Sequence, residues 1–341
     1  MDLWRFRVDL VVVLLTMVVL YSCNTPSALQ RQDYRGGALG TTYAIITYSE
    51  SSIDFTKGID SVFAVFNQSM STYIPDSDIS KINLGDSTVQ VDPMFREVFE
   101  QARKIWEASE GYFDPTVGIL VDAWGFGPGK ALEMDTVTVD SLLRYVGFEK
   151  VRLTQDLRIV KEYPQIRLDF NAIAKGYSID RLSEMIQAAG VQHYLIEVGG
   201  ELRTGGMNPD KGQPWNVGID DPRVTDGRSV MRIVALSDKA MASSGNYRKF
   251  RVDPQTGGKF VHTIDPHTGF TRSSNILATS VIAPNCMIAD AYATTLMAME
   301  LRQSKELLQA HKELEGYIVY LDDAGNLQEY ITPGFKDLIL P

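Results

Sequence analysis

The sequence runs to 341 residues, enough to bury a substantial core in one large domain or two intimate ones. Its content of 44% hydrophobic, 10% aromatic and 22% charged residues is that of a folded globular protein. A formal net charge of −10, with no Lys/Arg-rich run to offset it, excludes a general affinity for nucleic acid.

At the N-terminus Arg5 and Arg7 precede an apolar run from Leu10 to Leu20, closed by Leu20-Tyr21-Ser22-Cys23. A basic start and a short apolar stretch describe a secretion signal rather than a membrane span, which takes about 20 apolar residues. A cysteine after a small residue at the cleavage zone resembles a bacterial lipobox. Residues 1–23 are therefore expected to anchor the chain at the inner membrane through a lipidated Cys23, with the body facing the periplasm. The bulk of Tyr21 leaves an uncleaved signal anchor as the other form. Residues 24–36 are polar and aperiodic and predict a tether. Residues 37–341 hold no repeat, low-complexity tract or linker. Only two cysteines exist, Cys23 and Cys286, so Cys286 reads as a small apolar residue near a helix start.

Thr42–Tyr48 alternates as a strand does. Phe55, Ile59, Val62, Phe63, Phe66 and Met70 recur at helical spacing. A second helix is predicted from about Pro93 to Ala108, capped by Asp92 and apolar along Phe95, Val98, Phe99, Ala102 and Trp106. A short helix over Leu142–Val146 stops at Gly147. Strands follow near Lys150–Leu153, Arg158–Lys161 and Ile166–Asp169, then a helix from about Ala172 to Ala189. Tyr194–Val198 is a strand, with several more between Trp215 and Ile264. Leu277–Ala283 leads into a helix from about Met287 to Met299, and a helix near Ser304–His311 and a strand at Tyr317–Leu321 complete the body. Strands come in runs and outnumber helices, which predicts α+β with mixed, largely antiparallel sheets.

Five punctuated segments are candidates for chemistry. Gly111-Tyr112-Phe113-Asp114-Pro115-Thr116-Val117-Gly118, followed by Trp124-Gly125-Phe126-Gly127, sets glycines beside aromatics. That suits close backbone approach to a flat ligand, or simply a packed loop with a Trp anchor. Leu168-Asp169-Phe170-Asn171-Ala172-Ile173-Ala174-Lys175-Gly176 ends a strand in a carboxylate and opens a helix. Its N-terminal amides suit phosphate and Lys175 adds positive charge, while Asp169 serves equally as a helix cap. Val198-Gly199-Gly200-Glu201 fits a tight turn or a ligand approach. Ser243-Ser244-Gly245-Asn246-Tyr247-Arg248 precedes His262-Thr263-Ile264-Asp265-Pro266-His267-Thr268-Gly269, whose Asp-Pro-x-Thr-Gly is strong turn chemistry. His262 there is either a structural histidine or a general base, since its unperturbed pKa lies near neutrality. Asp290 and Thr294 are four apart on a predicted helix and share a face. Among alanines they make either a local hydrogen bond or a hard oxygen site of the kind magnesium takes.

Taken in order, these segments resemble the ApbE family of FAD:protein FMN transferases. The resemblance begins at Gly40-Thr41-Thr42-Tyr43 and continues through Ser71-Thr72-Tyr73 and Ser77-Asp78-Ile79-Ser80-Lys81-Ile82-Asn83. It then takes in the five segments above. It implies one mixed domain related to the T-fold class, with FAD between its subregions. It implies that Leu39, Tyr73, Tyr112, Phe113, Asp114, Asp169, Lys175 and Ile264 contact FAD; Leu39 replaces the family's usual methionine. Mg2+ would be held by the Ala172 carbonyl with Asp290 and Thr294. His262 and Asp290 would be the catalytic pair, the former on a proton and the latter through the metal. The reaction implied is attack by a threonine hydroxyl of a partner protein on FAD, releasing AMP. The implied acceptors are flavin subunits of Na+-pumping NADH:quinone reductase or Rnf complexes. FAD pyrophosphatase activity, non-catalytic FAD binding and a purely structural lipoprotein are the competing expectations.

Overall fold

The computed structural model describes residues 29–224, 227, 229–246, 250–252, 259–272 and 274–341. Its α+β architecture is built on one eight-stranded sheet. The strands are Gln30–Ala38, Thr41–Ser49, His193–Val198, Glu201–Gly205, Ala240–Gly245, Ile276–Ala283, Glu315–Leu321 and Leu327–Ile331. Every neighbouring pair is antiparallel, and the order across the sheet follows the order along the chain. Three short ribbons stand apart from it: Val151–Leu153 with Ile159–Lys161, Trp215–Asp220 with Val230–Leu236, and Phe250–Val252 with Lys259–Val261.

The helix Pro93–Ala108 forms for the reasons its sequence gives. Asp92 accepts from the Phe95 amide at 2.7 Å, proline occupies the first turn, and Phe95, Val98, Phe99, Ala102 and Ile105 are buried. Trp106 is only partly buried, and its indole N–H donates to the buried Asp114 at 3.1 Å. The helix Cys286–Ala298 is buried on nearly all sides, as its run of small and apolar residues requires. It lies between the sheet and the helix Ala174–Ala188, and Gly176 makes the close approach possible. A Cβ there would collide with the Cys286 carbonyl and stand 2.8 Å from the Asp290 Cβ. Asp180, one turn on from Gly176, accepts the amides of Cys286 (2.9 Å) and Met287 (2.8 Å) at the start of the same helix. Arg203 pairs with Asp180 from the sheet side.

Three expectations differ from the structure. The stretch 24–36, read as a tether, ends instead in the edge strand Gln30–Ala38, paired residue for residue with Thr41–Ser49. Most of its side chains face solvent, so its pattern carries backbone pairing without apolar alternation. The short helix runs over Thr136–Leu143 rather than 142–146, because Asp135 caps it through the Thr138 amide and Val139 is its one buried residue. Residues 166–169 form no ladder; a single parallel bridge joins Val117 and Arg167. No helix among the described residues is long and apolar enough to cross a membrane. The run Leu10–Leu20 and Cys23 lie outside the described residues.

Gly176→Ala is expected to cost about 2 kcal/mol or more, since its Cβ meets backbone that cannot swing away. A urea unfolding midpoint close to that of the unaltered protein would refute this.

Candidate active site

Two neighbouring features make up the site: a buried acidic cluster under the sheet and a cleft beside it. Asp290 is 4% exposed, and its Oδ2 accepts the Gly176 amide at 2.9 Å. That amide belongs to the first turn of the helix Ala174–Ala188, where backbone N–H groups have no partner within the helix, and Asp290 satisfies it. The Ala172 carbonyl lies just ahead of that helix, outside its ladder. Thr294 follows one turn after Asp290 on the same helix, and its hydroxyl lies 3.4 Å from that of Ser244. Ser243 pairs its hydroxyl with Ser280 at 2.7 Å.

Charge in this cluster is unbalanced. Lys175 is ion-paired with Glu201, and both interact with Asp290. Burial pushes the Asp290 carboxyl up, against the pull of Lys175 and the Gly176 amide. Burial likewise pushes Glu201 up to about 7, with Lys175 opposing. Burial disfavours the Lys175 ammonium, yet Asp290 and Glu201 outweigh it and hold the lysine above its ordinary value. Two buried carboxylates thus share one lysine.

The cleft, about 170 Å³, has Ser80, Asn83 and Leu84 on one wall and Arg167, Leu168 and Asp169 on the other. Gly118 and Asp122 form its base, and Asp122 lies 3.6 Å from Arg167. Asp169 accepts the Asn171 amide at 2.7 Å, so it closes the turn before the helix rather than capping the helix itself, which begins at Ala174. Burial raises its carboxyl pKa, and Asp122 adds to the effect. Tyr73, 60% exposed, stands at the rim with its hydroxyl 3.4 Å from the Phe126 carbonyl. The His262 ring meets the Phe126 ring edge-on at 6.5 Å between centroids. Phe126 thus links Tyr73, through its carbonyl, to His262, through its ring.

The loop after His262 is held from several directions. Gly269 donates to the Asp265 carbonyl at 2.8 Å, Arg272 reaches the Asp265 carboxylate at 3.2 Å, and Trp124 donates to the Gly269 carbonyl at 2.9 Å. Ile264 is buried against Leu120 and Trp124. Tyr112 packs edge-on against His267 at 4.5 Å, and Phe113 is buried in the main core. Asp114 accepts from the Thr116 amide and hydroxyl, the Trp106 indole and the Phe148 amide, so its visible work is to fix this loop. Leu39 occupies the turn between the first two strands with φ +52, packed against two core clusters. Tyr247 and Arg248 lie outside the described residues.

Residues 39–318 match the ApbE family. The chain belongs to that family. Among its relatives are proteins named FAD:protein FMN transferase from Vibrio cholerae, 33% identical over 96% of this chain and 98% of that one, and from Haemophilus influenzae, 33% identical over 85% and 86%. The solved flavin transferase ApbE of Vibrio cholerae superposes with a TM-score of 0.81 at 31% identity, covering 91% of this chain and 99% of the other. The ApbE protein of Thermotoga maritima gives 0.80 at 26%, covering 92% and 100%.

The donors present in this ApbE family member fit a magnesium ion. No cluster of three or more His, Cys, Asp or Glu side chains suited to a metal occurs among the described residues. A cation would rest on Asp290, Thr294 and the Ala172 carbonyl, an all-oxygen set that would leave room for water and phosphate. The surplus buried carboxylate supplies the charge. Sequence reading missed Glu201 as the partner of Lys175, and it missed Asp180. Glu201 follows a glycine pair and Asp180 lies mid-helix, and neither setting singles out a carboxylate.

Glu201 keeps its proton longer in the folded chain than in the unfolded one, so the folded state binds more protons between about pH 4.5 and 7. Stability from this group is full below that window and lost as pH rises through it. In chelator-treated protein, Glu201→Gln should flatten the fall in melting temperature across those pH values; an unchanged slope would refute the assignment.

Proposed function

We propose that this chain transfers FMN from FAD to a threonine hydroxyl of another protein, using Mg2+ and releasing AMP. The observation that carries this reading is the bond from the Gly176 amide to Asp290, which seats a buried carboxylate at the helix start that follows the Ala172 carbonyl. Thr294 stands one turn on from Asp290, and Asp169 of the cleft wall stands three residues before Ala172. Membership of a family whose relatives are named for this activity supports it.

In this reading FAD lies in the cleft, with Tyr73 and Asp169 nearest the ligand and Leu39, Tyr112 and Ile264 shaping its surroundings. Phe113 and Asp114 hold the loop beneath. Lys175, kept charged by Glu201 and Asp290, faces the pyrophosphate. Asp290, Thr294 and the Ala172 carbonyl would hold a magnesium ion, which would supply positive charge to the pyrophosphate oxygens. The threonine oxygen bonds to the phosphorus on the riboflavin side; the anhydride P–O bond breaks and its electron pair departs with AMP. His262, packed edge-on against Phe126, takes the hydroxyl proton. Positioning and electrostatics carry most of the rate, as in other phosphoryl transfers. The acceptors we propose are flavin subunits of Na+-pumping NADH:quinone reductase or Rnf complexes. The location we propose is the periplasmic face of the inner membrane, anchored at Cys23.

Incubating the protein with FAD, Mg2+ and an acceptor domain should add the mass of FMN to an acceptor threonine. Asp290→Ala should lower that transfer by about 100-fold or more, the scale of a lost metal contribution. FAD hydrolysis indifferent to acceptor, with no covalent flavin, would replace transferase by pyrophosphatase. Flavin binding without turnover would leave only a carrier. Full transfer by Asp290→Ala under limiting magnesium would overturn the metal assignment.

A further inference from the structure

Lys161 ends the short strand Ile159–Lys161, away from the acidic cluster, and no carboxylate pairs with it among the described residues. Its ammonium instead donates to four backbone carbonyls: Ile82 at 2.8 Å, Ile166 at 2.9 Å, Pro164 at 3.1 Å and Asn83 at 3.4 Å. An ammonium has three protons, so the four oxygens share them, as carbonyls share a bound cation. Burial, with Arg167 close by, draws this lysine down to about 8, so it stays mostly protonated at neutral pH inside its ring of carbonyls.

The cage joins the two walls of the cleft. Ile82 and Asn83 are the last residues of the helix Asp78–Asn83, whose end carries partial negative charge and favours a cation. Pro164 and Ile166 begin the segment that runs on through Arg167 and Leu168 to Asp169. The Asn83 side chain ties the same walls a second time: its Nδ2 donates to the Leu168 carbonyl at 2.8 Å, and the Leu168 amide donates to its Oδ1 at 2.7 Å. Asn83, Leu168 and Asp169 all line the cleft.

We propose that Lys161 is a positioning residue for the FAD cleft, its ammonium acting as a tethered internal cation that sets the spacing between the Asn83 wall and the Asp169 wall. This rests on reading the cleft as the flavin site. Lys161 touches neither FAD nor the metal donors; it acts through Asn83, Leu168 and Asp169. Its loss should widen the cleft and weaken capture of FAD while sparing the phosphoryl step at Asp290.

The test compares the full chain with Lys161→Met and Lys161→Cys, the last measured before and after alkylation with 2-bromoethylamine, which restores an ammonium at the same reach. Lys161→Met and unalkylated Lys161→Cys should raise the FAD Kd, read by flavin fluorescence, and the KM for FAD about tenfold. Their kcat should stay within about threefold of the unaltered protein. Alkylated Lys161→Cys should recover FAD affinity to within about threefold, while the unaltered protein treated alike should not change. An unchanged Kd in Lys161→Met, a fall in kcat alone, or failure of the alkylated variant to recover would each overturn the proposal. If the Lys161 variants do not fold, Asn83→Ser cuts the second tie and should raise Kd in the same sense; an unchanged Kd there overturns it as well. An unaltered protein that binds FAD but transfers no FMN counts against the transferase reading alone, whereas one that binds no FAD overturns both.

Discussion

One hydrogen bond organises the site: the Gly176 amide, unpaired within the first turn of its own helix, donates to Asp290. The bond exists only because two helices approach closely enough for a backbone N–H to reach a side chain on its neighbour. That approach in turn requires glycine at 176 and small residues along Cys286–Ala298. The same contact does two things together. It fixes one oxygen of a buried carboxylate, and it places Lys175 where it must answer to two acids. Asp180 and Arg203 reinforce the approach from one turn further on.

A buried carboxylate is costly unless something neutralises it. Here one lysine serves two acids, so the cluster is built with a deficit of positive charge. In a merely structural network such a deficit would be a liability. In the proposed site, which would take up a cation and then a pyrophosphate, it would help hold the cation. The serine and threonine hydroxyls nearby, Ser243, Ser244, Ser280 and Thr294, keep the surroundings polar without adding charge.

Much of this was legible in the sequence, and the exceptions share a cause. The Pro93–Ala108 helix was readable because cap, proline and apolar spacing all agree. Asp290 and Thr294 were readable as a shared face because helical periodicity is local. The edge strand Gln30–Ala38 was not, since its stability lies in pairing with Thr41–Ser49 rather than in a buried face. Lys161, Asn83, Glu201 and Asp180 were also missed. Each acts on residues or backbone far along the chain, and a side chain donating to a distant carbonyl leaves no periodic trace. The α+β class survived these misses because it depends on the run of strands, not on any one boundary.

The sheet's plain order has a consequence for motion. Strands Thr41–Ser49 and His193–Val198 are neighbours, yet residues 50–192 intervene between them and supply both walls of the cleft. The ladder therefore closes over this excursion, and no sheet hydrogen bond need break for the cleft walls to part. Breathing of the cleft is opposed chiefly by side-chain ties to backbone, which open at lower free energy than a central ladder. The acidic cluster, by contrast, is seated on the sheet strand Glu201–Gly205 and on the helix packed against it. A ligand can thus be admitted by a yielding wall and still meet a rigid seat.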